Sequence, residues 1–213
     1  MTAEAPLDPH SQAFWDDRYA SRDQIWSGHP NAQLIAEAAS LAPARALDVG
    51  TGEGADALWL AERGWQVTAV DLSPVALERG AARAAEHGDE VAMRIEWIHA
   101  DIRTWSPPTA AYDLVSAHFL HPAPDVRAAV VGRLAAAVAL GGILLYVGHD
   151  PADLALRKHR HPEAMVTALD IAQLLEPPGW DVEVAEARPR AGTLPDGRAA
   201  TLHDAVLRAR RAA

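Results

Sequence analysis

The run "ALDVGTGEGADALWLAERG" at residues 46–64 sets three glycines at alternate positions between an apolar stretch and a helix-forming one. An apolar run, then glycine punctuation, then a helical period reads as strand, tight loop and helix. Glycine lets a ligand approach the main chain closely. The helix start beyond it offers unpaired N–H groups and partial positive charge. The loop therefore predicts a small polar or anionic ligand against its backbone. The plainer alternative is a turn that only lets strand and helix pack.

The same alternation continues along the chain. Strands are predicted at 44–50, 65–71, 93–101, 112–120 and 141–149, with helices over 54–63, from 74 to about 87, and over 126–139. Gly64 stops the first of these helices, Ser73-Pro74 opens the second, and Asp125 is predicted to cap the third. Alternating strands and helices imply parallel pairing with right-handed crossovers. After residue 150 the rhythm changes: a short helix at 167–175 precedes segments 180–190 and 201–211, joined by the turn "LPDG" at 194–197. These two segments predict an antiparallel hairpin. Residues 1–42 read as a helical lead-in with helices in "SQAFWDDRYA" and "NAQLIAEAAS". With no repeat and no linker, 1–213 reads as one α/β domain, the lead-in at 1–42 and the core at 43–213.

Three acids sharpen the ligand expectation. Asp71 ends the second strand, where a carboxylate accepts hydrogen bonds from ribose hydroxyls. Its bland alternative, helix entry, is a role Ser73 already fills. Asp101 ends the third strand on the same crevice edge, in reach of an exocyclic amine, though such an acid is often only a solvated loop residue. Asp48 interrupts an apolar strand just before the glycines. A buried acid is costly without a partner, so it either braces the loop or receives a cation.

Dinucleotide binders carry G-x-G-x-x-G; here the pattern is D-x-G-x-G-x-G. Asp48 to Gly54, with Asp71 and Asp101, resembles the class I S-adenosylmethionine-dependent methyltransferases. The resemblance implies a three-layer Rossmann-like fold, a mostly parallel seven-stranded sheet ending in an antiparallel hairpin. It implies S-adenosylmethionine as cofactor, with Gly50, Gly52 and Gly54 along its methionine part. Asp71 would hold the ribose and Leu72 would pack under the adenine. Asp101 and Ile102 would meet the adenine edge, and "SAHFLH", from Ser116 on, would face the methyl group. The stretch "FWDDRYASRDQIWSGHPN" is similar to the lead-in of the tellurite-resistance and thiol methyltransferase groups. That similarity implies a lid in which Arg18 meets the cofactor carboxylate, Tyr19 adds a phenol and Trp26 offers an aromatic face to the sulfonium. The alternative is a helix whose aromatics simply cover the sheet.

Methyl transfer from a sulfonium needs alignment and exclusion of water more than acid–base help, and a base only where the nucleophile arrives protonated. His118 and His121 are the histidines placed for that role; each could instead be structural. His149, His159 and His161 invite a metal reading, but no acid stands at convincing spacing, so no metal is expected. The chain has no cysteine, which excludes thiol catalysis and disulfides. Its net charge of −10 disfavours nucleic acid, with "RKHRH" at 157–161 the lone basic run. The apolar run 134–148 is too short to span a membrane, so a soluble cytoplasmic protein is expected. The function expected is methyl transfer to a small-molecule heteroatom by in-line displacement. Two alternatives stand beside it: a methyltransferase for RNA or protein, and an NAD-type binding protein. Oligomeric state is not legible.

Overall fold

The computed structural model describes residues 8–157, 162–176, 178–194 and 196–213. Helices Gln12–Ala20 (α1) and Ala32–Ala38 (α2) lead in. Each is capped by a side-chain oxygen, Ser11 accepting from the Phe14 N–H and Asn31 from the Gln33 N–H. The alternating core follows as Arg45–Val49 (β1), Ala55–Glu62 (α3), Gln66–Asp71 (β2), Pro74–Glu86 (α4), Asp89–Ala92 (α5) and Ile95–His99 (β3). It continues with Tyr112–His118 (β4), Pro124–Ala137 (α6) and Val138–His149 (β5). Leu154–Arg157 (α7) and Ala168–Ala172 (α8) precede the closing hairpin of Trp180–Thr193 (β6) and Ala199–Arg211 (β7).

The seven strands form one sheet in the order β3-β2-β1-β4-β5-β7-β6. The first five run parallel, whereas β7 lies antiparallel to both β5 and β6. Because β1 and β4 are buried on both faces, they read as continuous apolar runs rather than alternating ones. One face is packed by α2 and α3 through Leu34, Leu58 and Leu60. The other is packed by α6 and α8 through Val130, Leu134 and Ile171. This is the three-layer arrangement expected. Strand β1 sits between β2 and β4, so the order reverses there and opens a crevice at the strands' carboxyl ends.

Local chemistry explains most element ends. Ser73 accepts from the Ala76 N–H at 3.3 Å and Pro74 takes the first helical position of α4. Gly64, at φ +91°, lets the chain turn left-handed after α3. The third helix departs from expectation: α6 begins at Pro124 with Ala123 before it and no side-chain cap. Asp125 lies inside its first turn, where it meets the positive end of the helix dipole instead of capping it.

Candidate functional site

At the switch point a cavity of about 1860 Å³ opens, larger than the roughly 300–1,000 Å³ of ordinary ligand sites. The glycine loop forms its floor. Gly50 and Gly52 line it at φ +74° and +54°, conformations that favour residues without a Cβ. The N–H groups of Gly50 and Thr51 both reach the Val70 carbonyl, at 2.8 and 3.1 Å, tying the loop to β2. Gly54 is not part of the cavity lining, which corrects the expectation that all three glycines meet the ligand. A Cβ there would lie 2.4 Å from Cη2 of Trp97, and one on Gly80 of α4 would lie 2.6 Å from the same atom. The two glycines make room for one indole between loop, α4 and β3.

The predicted acids converge, each in its own way. Asp71 lines the cavity, and its oxygens accept from the Gly52 and Ser73 N–H groups, both at 2.8 Å. Burial pushes its carboxyl up, while these backbone bonds oppose the rise. Leu72 and Ile102 supply apolar lining beside it. Asp101 also lines the cavity, but Arg103 grips both its oxygens at 2.7–2.9 Å and holds its carboxyl below the usual range. The edge expected to be open to a ligand is thus shared with an arginine. Asp48 is 2% exposed; its Oδ1 accepts from the Ser116 hydroxyl at 3.0 Å, and its Oδ2 is buried without a partner. Ser116 itself is fully buried and absent from the lining. It holds Asp48 rather than a ligand, a second correction.

The lead-in folds over the loop. A Cβ on Gly52 would come within 2.8 Å of the Tyr19 hydroxyl, which accepts from the Trp26 indole N–H at 3.1 Å. Burial pushes the Tyr19 phenol upward. Arg18 lies between Trp15 and Trp26, 5.6 and 5.3 Å from their centroids. One face of Trp26, expected to meet a sulfonium, is therefore covered by a guanidinium. The strap that follows α1 is held by two acids that sequence reading passed over. Glu53 accepts from the Ile25 and Trp26 N–H groups at 3.3 Å and pairs with Arg79 at 3.2 Å. Asp56 accepts from the Asn31 N–H at 2.6 Å. The signal for Glu53 was an acid set between two glycines; Asp56 looked like an ordinary first-turn acid.

At the far end stands the segment after β4. His118 lines the cavity, its Nδ1 2.6 Å from Asp56 Oδ2 and its Nε2 buried without a partner. Burial opposes charge on this imidazole, but the Asp56 bond and the charges of Asp56, Asp48 and Asp204 outweigh it and raise its pKa. Phe119 and His121 follow at φ +54° and +50°, strained for residues with side chains. Their rings stack with His149, at centroid distances of 4.6 Å from Phe119 and 4.7 Å from His121. His159, His161 and most of the basic run at 157–161 lie outside the described residues. Among the described residues, Asp48, Asp56 and His118 present candidate ligand atoms within 4.8 Å of one another. With Nδ1 already bonded to Asp56, this group suits a proton or an ammonium group.

Residues 46–142 match a protein family described as a methyltransferase domain, of the kind the glycine loop resembles in the class I S-adenosylmethionine-dependent enzymes. An uncharacterized methyltransferase of Mycobacterium tuberculosis is 38% identical to it over 127 residues, 59% of this chain and 61% of that protein. A trans-aconitate 2-methyltransferase of Methylobacterium radiotolerans is 31% identical over 159 residues, 73% of this chain and 56% of that protein. The chain thus spans about three-fifths or less of the length of these relatives. Its fold is similar to a structure from work on converting a disulfide bond into a thioacetal group during echinomycin biosynthesis. The TM-score is 0.73 at 23% identity, covering 94% of this chain and 92% of that one. It is also similar to TehB from Haemophilus influenzae, at TM-score 0.66 and 16% identity, covering 92% and 67%.

The methyltransferase-domain match implies S-adenosylmethionine as the cofactor, and the cavity's residues fit it. Two glycines of the loop line the cavity, a carboxylate stands at the end of β2, and apolar side chains border it. The buried, unpaired Asp48 Oδ2 is the acceptor that an α-ammonium requires.

Proposed function

We propose that the chain catalyses methyl transfer from S-adenosylmethionine to a heteroatom of a small molecule, by in-line displacement. The observation that carries this reading is that Gly50, Gly52, Asp48 and Asp71 line the same cavity as His118. When bound, the cofactor supplies a methyl group on a positively charged sulfur, so departure of that sulfur needs no acid.

The protein's part is binding, alignment and exclusion of water. Asp71 keeps lone pairs for ribose hydroxyls beyond the two it gives to backbone N–H groups, and Leu72 and Ile102 flank the base. Asp48 Oδ2 would receive the ammonium, and Gly50 and Gly52 would border the methionine part. The strap held by Glu53 and Asp56 serves as the lid.

A small acceptor is supported by the lining. Beyond the loop Phe119, Leu120, Leu156 and Leu194 add apolar surface to the same cavity, which suits a small molecule with an apolar part. One relative is named for a small-molecule acceptor, trans-aconitate.

Thermal denaturation tests the cofactor half. S-adenosylmethionine and S-adenosylhomocysteine should each raise the midpoint, by about 4 kcal/mol of stability at a thousandfold excess over Kd, whereas NAD should not. A flat response to both sulfur ligands rejects the reading. Radiolabelled methyl offered to a cell extract, then split into small-molecule and polymer fractions, tests the acceptor half. Label confined to polymer overturns it.

A further inference from the structure

The Asp56 carboxylate makes two short bonds in opposite directions. Oδ1 accepts from the Asn31 backbone N–H at 2.6 Å, and Oδ2 meets His118 Nδ1 at 2.6 Å. A carboxylate that accepts from an imidazole fixes the proton on the nitrogen facing it. Nδ1 is therefore the protonated nitrogen and Nε2 the bare one in the neutral ring. That Nε2 is buried, has no protein partner, and belongs to a side chain lining the cavity. It is the atom left to meet a bound molecule.

We propose that Asp56 and His118 form a proton-accepting dyad completed by the lead-in strap, serving an acceptor whose heteroatom arrives as a hydroxyl. Asp56 is a positioning residue and His118 the catalytic one. This inference rests on the methyl-transfer reading and deepens it. The balance of the step is simple. A lone pair of the hydroxyl oxygen forms the new bond to the methyl carbon. The carbon–sulfur bond breaks with its electron pair left on sulfur, and the hydroxyl proton passes to Nε2, from which it returns to solvent. An amine or thiolate would have less use for such a base, and a carboxylate none.

The charges around the ring favour this role. Asp56 of α3, Asp48 of β1 and Asp204 of β7 all act to hold a proton on His118, and Arg190 of β6 neutralises Asp204 at 2.8 Å. His121 and His149 stand in the same lining from the loop and from β5. A cofactor ammonium at Asp48 would offset one of the negative charges, so His118 gives its proton up more readily once the cofactor is seated. The base is thus readied in the complex that needs it. Because Asp56 also binds Asn31, the strap that encloses the site takes part in orienting the ring.

The test is nitrogen NMR of the full chain labelled at histidine, free and saturated with S-adenosylhomocysteine. At pH 8 His118 should show a protonated Nδ1 and a bare Nε2. In Asp56→Asn the amide oxygen stays with the Asn31 N–H, which turns the NH₂ toward Nδ1. The tautomer should reverse, as when the carboxylate of a catalytic triad is replaced by an amide. A proton on Nε2 in the wild type, or an unchanged tautomer in a folded Asp56→Asn, overturns the dyad. Should S-adenosylhomocysteine fail to bind, the methyl-transfer reading falls, and the free protein still reports the tautomer.

Discussion

The hydroxyl of Tyr19 stands where a side chain on Gly52 would have to go: a Cβ there lies 2.8 Å from that oxygen. Tyr19 is 3% exposed and its hydroxyl accepts the Trp26 indole bond, so it has little freedom to withdraw. Gly52 also sits at φ +54°, which costs a residue with a Cβ about 1–2 kcal/mol. Gly52→Ala should therefore lose about that much stability and weaken S-adenosylhomocysteine binding at least tenfold, by calorimetry. Adding Tyr19→Phe should relieve the clash but not the backbone strain, recovering part of the stability. A Gly52→Ala protein with wild-type affinity would show that the ligand does not pass this point.

Asp71 is argued to hold the ribose, and it also ties the loop to the start of α4 through Gly52 and Ser73. Asp71→Ala orphans two backbone donors, at about 1–3 kcal/mol each if they stay buried, and removes the ribose acceptor. Cofactor affinity should fall at least tenfold and the melting temperature should drop. Asp71→Asn should retain more of the stability than of the affinity. Equal affinity in wild type and Asp71→Ala would reject the ribose assignment.

The strap prediction concerns Glu53, which accepts from Ile25 and Trp26 and pairs with Arg79. Glu53→Ala leaves these donors without their acceptor, so residues 22–31 should detach before the core unfolds. Arg22 is exposed in that stretch, and trypsin should cut there several times faster in the variant. Added S-adenosylhomocysteine should slow cutting in the wild type more than in Glu53→Ala. Identical digestion of the two proteins would deny Glu53 its latching role.

The alternation of apolar runs with helices carried the sheet and its closing hairpin, because period and length are local properties. The loop acids at the ends of β1, β2 and β3 were legible for the same reason: the topology forces strand ends onto one crevice. What could not be read depends on distant partners. Gly54 looked like its two neighbours, and only Trp97 of β3 and Gly80 of α4 show that it serves packing. Ser116 was taken with the segment facing the ligand, yet its hydroxyl turns inward to Asp48. Asp56 became informative only when the fold brought Asn31 and His118 to its two oxygens. The left-handed backbone at Phe119 left no trace in sequence, since phenylalanine does not signal such a turn, and His121, of a type enriched there, was weighed only for its chemistry.

Asp48 sets stability against binding. Burial raises its carboxyl from 3.8 to about 6, with Asp56 adding to the rise and His118 opposing it. A carboxylate raised in the fold is easier to bury neutral, so its contribution is most favourable below the unfolded value and is lost as pH climbs through about 6. The free protein therefore holds an ionised carboxylate at neutral pH against the cost of its burial. Asp48→Asn keeps an oxygen for the Ser116 hydroxyl and removes the charge. It should melt higher than wild type at pH 8, and the difference should shrink to nothing below about pH 4, where both side chains are neutral. Cofactor affinity should move the other way. Wild-type binding should weaken as pH falls below about 6, while Asp48→Asn should bind weakly at every pH because the ammonium has lost its counter-charge. Melting curves across pH 4–8 and calorimetry at the two ends decide it. A variant that is less stable at pH 8, or that binds S-adenosylhomocysteine as tightly as wild type, would mean that Asp48 only braces the loop.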